Sequence, residues 1–222
     1  MTRPELGGLY AITPEMIDTS GLVTMTQQAL TGGARLVQYR NKTAGTALRL
    51  EQAYSLAHLC RKFGVPFIVN DYLDLAVEVG ADGVHVGRDD ASVAEARRRL
   101  GKGKIIGVSC YNRLELAVEA ERDGADYVAF GAFFDSPTKP GAAAAPMDLL
   151  DHARRKLHVA VVAIGGITSD NAGELISRGA NAVAASSALF AAGYIRSAAE
   201  NFSRLFQPNP TADCLFPDHS SV

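Results

Sequence analysis

Cysteine is scarce in this chain: 222 residues hold three, Cys60, Cys110 and Cys214, far apart and without a CxxC pair. That spacing argues against a zinc site and a disulfide framework, and an odd count suits a reducing compartment. No sign of charge dominates. The 22 Lys+Arg set against 24 Asp+Glu give −2, which argues against a surface coated for nucleic acid and leaves room for a local basic pocket around a small anion. Long apolar runs are missing too. The uncharged stretch 180–195 is rich in Ala, Ser and Gly and falls short of the about 20 apolar residues of a spanning helix. The opening MTRPELGGLYAIT lacks an apolar run followed by a small-residue cleavage site, so no secretory signal is apparent. These absences point to a soluble cytoplasmic protein.

What is present is ordinary in bulk and regular in order. Hydrophobic residues make up 47% and charged residues 21%, the balance of a globular domain. Eight short apolar runs, at 8–12, 35–40, 66–70, 83–86, 104–109, 127–131, 159–166 and 182–189, alternate with segments of helical spacing such as 47–62, 92–100, 113–122 and 170–178. Most runs are continuous rather than alternating, as in strands covered on both faces. Ser92 is placed to cap the helix that follows it. Gly-Ala-Asp or Gly-Ala-Asn recurs at 80–82, 124–126 and 179–181, between a helix and the next strand each time, where glycine suits a left-handed helix end. No GxGxxG follows the first run. The pattern therefore predicts an α/β fold, a single (β/α)8 TIM barrel over 1–206, in preference to an open doubly wound sheet. Residues 207–222, with three prolines and no amphipathic period, are expected to form a flexible C-terminal tail.

In such a barrel the chemistry collects at the C-terminal ends of the strands. Those ends carry Gln38, Arg40 and Lys42 after the second strand, Asn70 and Asp71 after the third, Asp89 and Asp90 after the fourth, and Ser109 at the fifth. Ser136, Thr138 and Lys139 follow the sixth, Gly165 and Gly166 the seventh, and Ser186 and Ser187 the eighth. Cations, spaced carboxylates and few histidines suggest a polyphosphate held through Mg²⁺, an ion that takes one or two protein carboxylates and fills its shell with water and phosphate oxygens. The glycines and serines of the last two strands suit a second phosphate. Each piece also has a plain structural reading. Asn70-Asp71 and Asp89-Asp90 would serve as helix starts, the Gly165-Gly166 pair as a close packing point, His85 as a satisfied core histidine, and Cys110 as a packed thiol.

The phrases LYAIT (9–13), QYRNK (38–42), FIVND (67–71), ADGVHVG (81–87), IIGVS (105–109), GADYVAFG (124–131), TK (138–139), IGGI (164–167) and SSA (186–188), in this order, resemble the thiamine phosphate synthase family from about Gly8 to Phe206. The resemblance implies condensation of hydroxymethylpyrimidine diphosphate with thiazole phosphate, releasing pyrophosphate. It implies that Arg40, Lys42, Asn70, Ser109 and Lys139 grip the diphosphate, that Asp71 and Asp90 hold Mg²⁺, and that Gln38 lies against the pyrimidine. Ser136 and Thr138, with the backbones of Gly165, Ser186 and Ser187, would hold the thiazole phosphate. The chain departs from the family pattern at Arg88, where Gln is frequent, at Ser136, where Thr is usual, at Ser186, where an apolar residue is common, and in the PGAAAAP run after Lys139.

Three rivals stand beside this reading. A thiazole tautomerase-like relative would not need the full diphosphate cluster. A sugar-phosphate isomerase would need a base such as Asp126 or His85. A non-catalytic barrel would bind a phosphate ligand alone. The partners expected are small molecules, with a homodimer as the commonest assembly.

Overall fold

The structure is a computed structural model that describes residues 6–135 and 145–207. Ser136, Thr138, Lys139, Cys214 and the proposed tail beyond Gln207 lie outside the described residues. Eight strands, β1 Gly8–Ile12, β2 Leu36–Tyr39, β3 Phe67–Asn70, β4 Gly83–Val86, β5 Ile105–Tyr111, β6 Tyr127–Phe130, β7 Ala160–Ile164 and β8 Ala182–Ala185, pair in sequence order and close into one barrel. Every pairing is parallel, β1 with β8 included. The helices between them are α1 Thr19–Thr31, α2 Thr46–Phe63, α3 Leu73–Glu78, α4 Val93–Leu100, α5 Leu114–Arg122, α6 Asp148–Lys156 and α7 Ala172–Ser177. After β8 come α8 Ser187–Phe190 and α9 Ile195–Arg204. The predicted last strand ran to 189. It stops at Ala185, because Ser186 begins a helical turn in which the Leu189 and Phe190 N–H groups donate to its carbonyl. Ser92 does cap α4, its hydroxyl accepting from the Glu95 N–H at 3.2 Å.

The continuous apolar strands follow from their two buried faces. Tyr10, Ile12, Leu36, Ile68, Ile105, Tyr127, Ala129, Val162 and Ala184 fill the barrel interior. Their strand neighbours point outward. Val37, Tyr39, Val69, Val84 and Ile106 pack under one set of helices, and Leu9, Val128, Phe130, Val161 and Val183 under the other. Burying each such Val, Leu, Ile or Phe contributes about 1.5–3 kcal/mol relative to exposure.

The repeated Gly-Ala-Asp/Asn phrase makes a repeated latch. Gly80, Gly124 and Gly179 take positive φ values of 63°, 95° and 112°, which ends α3, α5 and α7 in a left-handed turn that residues with a Cβ disfavour. The following Asp82, Asp126 and Asn181 each clasp the strand before. The Asp82 carboxylate accepts the Phe67 N–H while its own N–H donates to the Phe67 carbonyl. Asp126 does the same with Ile106, and Asn181 with Val161. The latches sit at the N-terminal ends of the strands, the mouth opposite the candidate site. There Arg97 also donates to Asp126, at 2.5 Å.

Candidate active site

At the C-terminal mouth the β2–α2 loop is built around a buried amide. The Asn41 Nδ2 donates to the Met16 carbonyl at 3.0 Å and to Gln52 Oε1 at 3.1 Å, and its Oδ1 accepts the Ala44 N–H at 3.1 Å. This anchor holds its two neighbours, Arg40 and Lys42, over the mouth. Arg40 donates to Glu15 at 2.7 Å, and its backbone N–H donates to Thr13 Oγ1 at 3.0 Å. Lys42 Nζ lies 2.8 Å from Asp71 Oδ2. Asn41, Glu15 and Thr13 were not candidates from sequence. An Asn between two cations gives no signal that its side chain faces inward, and Glu15 meets Arg40 only once β1 lies beside β2.

Asp71 has φ 62°, the left-handed region that Asp tolerates better than most residues. Its N–H donates to the His85 carbonyl, so the turn out of β3 is tied to β4. Neither Asn70 nor Asp71 caps α3, whose N-cap is Tyr72 with no side-chain bond. Asp90 does not start α4 either. Its carboxylate turns back to accept the Gly87 N–H at 2.7 Å. There it meets Asp71. Desolvation by its surroundings first, and then the adjoining Asp71 carboxylate, raise Asp90 above the usual carboxylate value, against the pull of the Gly87 N–H and Lys42. Two carboxylates thus share one place, with Lys42 the lysine that meets them among the described residues. Among the described residues no group of three or more His, Cys, Asp or Glu side chains converges. The donor set still suits Mg²⁺, which needs one or two carboxylates and draws its remaining oxygens from water and phosphate.

Deeper in the mouth, Gln38 and Asn70 are buried and point into the barrel beside His85. His85 is satisfied on both ring nitrogens, Nδ1 with Tyr127 Oη and Nε2 with Ser109 Oγ, each at 2.9 Å. Ser109 sits just before a bulge, where the β5–β6 register shifts between Ser109 and Tyr111. Gly165 and Gly166 take φ values of 100° and 63°. A Cβ on Gly165 would meet the Ala132 Cβ at 2.4 Å, and one on Gly166 the Asp135 carbonyl oxygen at 2.4 Å. Close packing against the β6 loop therefore requires both glycines, whatever ligand they also face. Ser186 and Ser187 open α8 on the same side. Arg88 is exposed. Asp126 is at the other mouth, bound to Arg97 and Ile106, which removes it as a base for an isomerase. Cys60 and Cys110 are buried, and burial pushes both thiols up to about 12, so neither is poised as a nucleophile.

The mouth thus gathers Gln38, Arg40, Lys42, Asn70, Asp71, Asp90 and Ser109 around one opening. Comparison with known proteins identifies the family. Residues 9–189 match the family described as thiamine monophosphate synthase. The chain is 62% identical over 205 residues to a thiamine-phosphate synthase of Nitrosospira multiformis, covering 92% of this chain and 88% of that one. It is 55% identical to one from Nitrosomonas eutropha, with 93% and 97% covered. Among solved structures, a thiamine phosphate pyrophosphorylase from Pyrococcus furiosus superposes with a TM-score of 0.81 at 35% identity, covering 89% of this chain and 94% of that one. A geranylgeranylglyceryl phosphate synthase from Thermoplasma acidophilum, at 14% identity and TM-score 0.68, shares the fold. The chain belongs to the thiamine monophosphate synthase family, transferases of thiamine biosynthesis.

Proposed function

We propose that this protein joins 4-amino-2-methyl-5-hydroxymethylpyrimidine diphosphate to 4-methyl-5-(2-phosphoethyl)thiazole, giving thiamine phosphate and pyrophosphate. The observation that carries this reading is the Lys42–Asp71–Asp90 cluster beside Arg40. Paired carboxylates and cations at one mouth suit a metal-chelated diphosphate, which neither a tautomerase nor a simple phosphate-binding barrel needs. Arg40, Lys42, Asn70, Ser109 and Lys139 bind the diphosphate, and Gln38 orients the pyrimidine. Ser136 and Thr138, with the backbones of Gly165, Ser186 and Ser187, hold the thiazole phosphate. Asp71 and Asp90 would hold Mg²⁺, which when bound supplies positive charge against the departing diphosphate.

The aminopyrimidine makes the reacting carbon electron-rich, so the C–O bond to the diphosphate breaks first and leaves a pyrimidine cation. The thiazole nitrogen lone pair then forms the new C–N bond. The residues' task is to stabilise growing negative charge on pyrophosphate, which fixed donors such as Arg40 and the two lysines do without reorganising. No strong base is needed at the ring nitrogen, in keeping with a mouth whose buried His85 is already hydrogen-bonded on both ring nitrogens. Residues 1–206 form the catalytic domain in this reading, with 207–222 as a tail. Assembly is as a homodimer, the commonest soluble oligomer.

The test is pyrophosphate release by purified protein with both substrates, with and without Mg²⁺, after phosphatase contamination is excluded. Release that needs both substrates and the metal, with thiamine phosphate formed in equal amount, is the expected result. A folded protein that binds ligands and makes no product would move the assignment to the tautomerase or the binding protein.

A further inference from the structure

Five side chains from five strands form one unbroken hydrogen-bond chain across the barrel interior. Gln38 Nε2 donates to Tyr10 Oη at 2.9 Å, and Tyr10 Oη meets Tyr127 Oη at 2.7 Å; the Gln38 amide also reaches Tyr127 directly. Tyr127 Oη meets His85 Nδ1, and His85 Nε2 meets Ser109 Oγ, both at 2.9 Å. Gln38, Tyr10, Tyr127 and His85 are all buried, and no buried side-chain nitrogen or oxygen among the described residues lacks a partner. The two ends of this chain are the residues assigned above to the pyrimidine and to the diphosphate.

The chain has a direction. Each hydroxyl carries one hydrogen, and a neutral imidazole has one N–H and one lone-pair nitrogen. With Gln38 Nε2 facing Tyr10, Tyr10 accepts and must pass its own hydrogen to Tyr127. Tyr127 passes its hydrogen to His85 Nδ1, and His85 donates from Nε2 to Ser109. The Ser109 hydrogen is then directed out of the chain. Turning the Gln38 amide over presents Oε1 to Tyr10, and every bond reverses, so that Ser109 spends its hydrogen on His85. A mixed arrangement breaks the one-donor, one-acceptor match at a link of the chain, which is costly in a low-dielectric interior. Burial raises both tyrosines above their ordinary value, so they stay as hydroxyls and the chain keeps its full count of hydrogens.

We propose that Tyr10, Tyr127 and His85 are positioning residues that transmit the orientation of the Gln38 amide to the Ser109 hydroxyl, coupling recognition of the pyrimidine to recognition of the diphosphate. What the two ends touch rests on the function proposed above; the chain itself does not. A ring amine donating to Gln38 Oε1 keeps Nε2 on Tyr10 and leaves Ser109 a donor for an anionic oxygen. A ring carbonyl in its place calls for the opposite orientation and withdraws that donor.

The first test needs no substrate: ¹⁵N NMR of the His85 imidazole, assigned by its loss in His85→Gln. The wild type is expected to carry its proton on Nε2. Gln38→Glu replaces a donor with an acceptor and is expected to move the proton to Nδ1, and Tyr127→Phe is expected to abolish that response. A tautomer that ignores Gln38→Glu overturns the proposal. Should Gln38→Glu not fold, binding of the pyrimidine diphosphate with Mg²⁺ and no thiazole decides. Gln38→Ala and Ser109→Ala together should weaken binding about fivefold less than the product of their separate effects, the range of coupled neighbours. In a Tyr127→Phe background the effects should simply multiply. Multiplication in the unaltered background as well overturns the chain. A wild type that forms no thiamine phosphate would sink the proposed function and leave the NMR result standing, whereas an unresponsive His85 would sink the chain alone.

Discussion

Charge is distributed unevenly among individual residues at the barrel mouth. Asp90 is held above the ordinary carboxylate value of 3.8, so folding favours its protonated form more than the unfolded chain does. The sign follows directly: a raised carboxyl contributes stability that is present below its unfolded value and lost as pH rises through its folded value. The metal-free protein should therefore lose some stability as pH climbs through the carboxylate range, and added Mg²⁺ should restore it above that range. The effect is small, because Asp90 is largely exposed to solvent. Asp90→Asn removes one of the two facing charges. It should raise the melting temperature slightly without metal and abolish the further rise on adding Mg²⁺. Differential scanning fluorimetry at two pH values checks both, and a variant that still responds to Mg²⁺ would remove Asp90 from the metal. Lys139 carries a separate prediction. Lys139→Ala should lower the single-turnover rate about 10²–10³-fold, the effect of removing one charge-stabilising donor. An unchanged rate would end that role.

The secondary-structure elements show what spacing conveys and what it does not. The strands were legible because a strand covered on both faces reads as a short apolar run, and each run's C-terminal end then named its candidate residues. Gln38, Lys42, Asp71 and Asp90 do share one mouth for that reason. The interior chain was not legible. Tyr10 and Tyr127 are 117 residues apart, and each reads as one more aromatic in an apolar strand until the barrel closes. Nor does a sequence tell which glycine makes room for which ring. A Cβ on Gly107 would lie 1.9 Å from Tyr127 Cζ, so β5 must be bare there for β6 to seat its tyrosine. Gly107→Ala forces Tyr127 out of place and should cost at least the about 1–3 kcal/mol of ordinary overpacking. Its fingerprint is a combined loss of melting temperature and of pyrimidine diphosphate affinity. A variant that loses stability alone would show that Tyr127 keeps its position by other means.

At the scale of the whole molecule, the latches lie at one mouth and the polar cluster at the other. Each latch ties an odd strand to the even strand that follows it: β3 to β4, β5 to β6 and β7 to β8. The barrel is thereby divided into βαβ modules joined by α2, α4 and α6, of which α4 also reaches the β5–β6 latch through Arg97. Circular permutation exposes this division. The turns at Gly64 and Gly124 are both left-handed, with open space beside each glycine; the Gly124 carbonyl also accepts from Arg97. New ends opened between Phe63 and Gly64 leave every latch within one continuous piece. New ends opened between Asp123 and Gly124 place Asp126 and Ile106 at opposite extremes of the chain. The first permutant should refold at nearly the native rate and the second markedly more slowly, because its latch must close over almost the full chain length. Stopped-flow refolding of the pair measures the difference, and equal rates would mean that the modules are a pattern of the finished barrel and not units of its assembly.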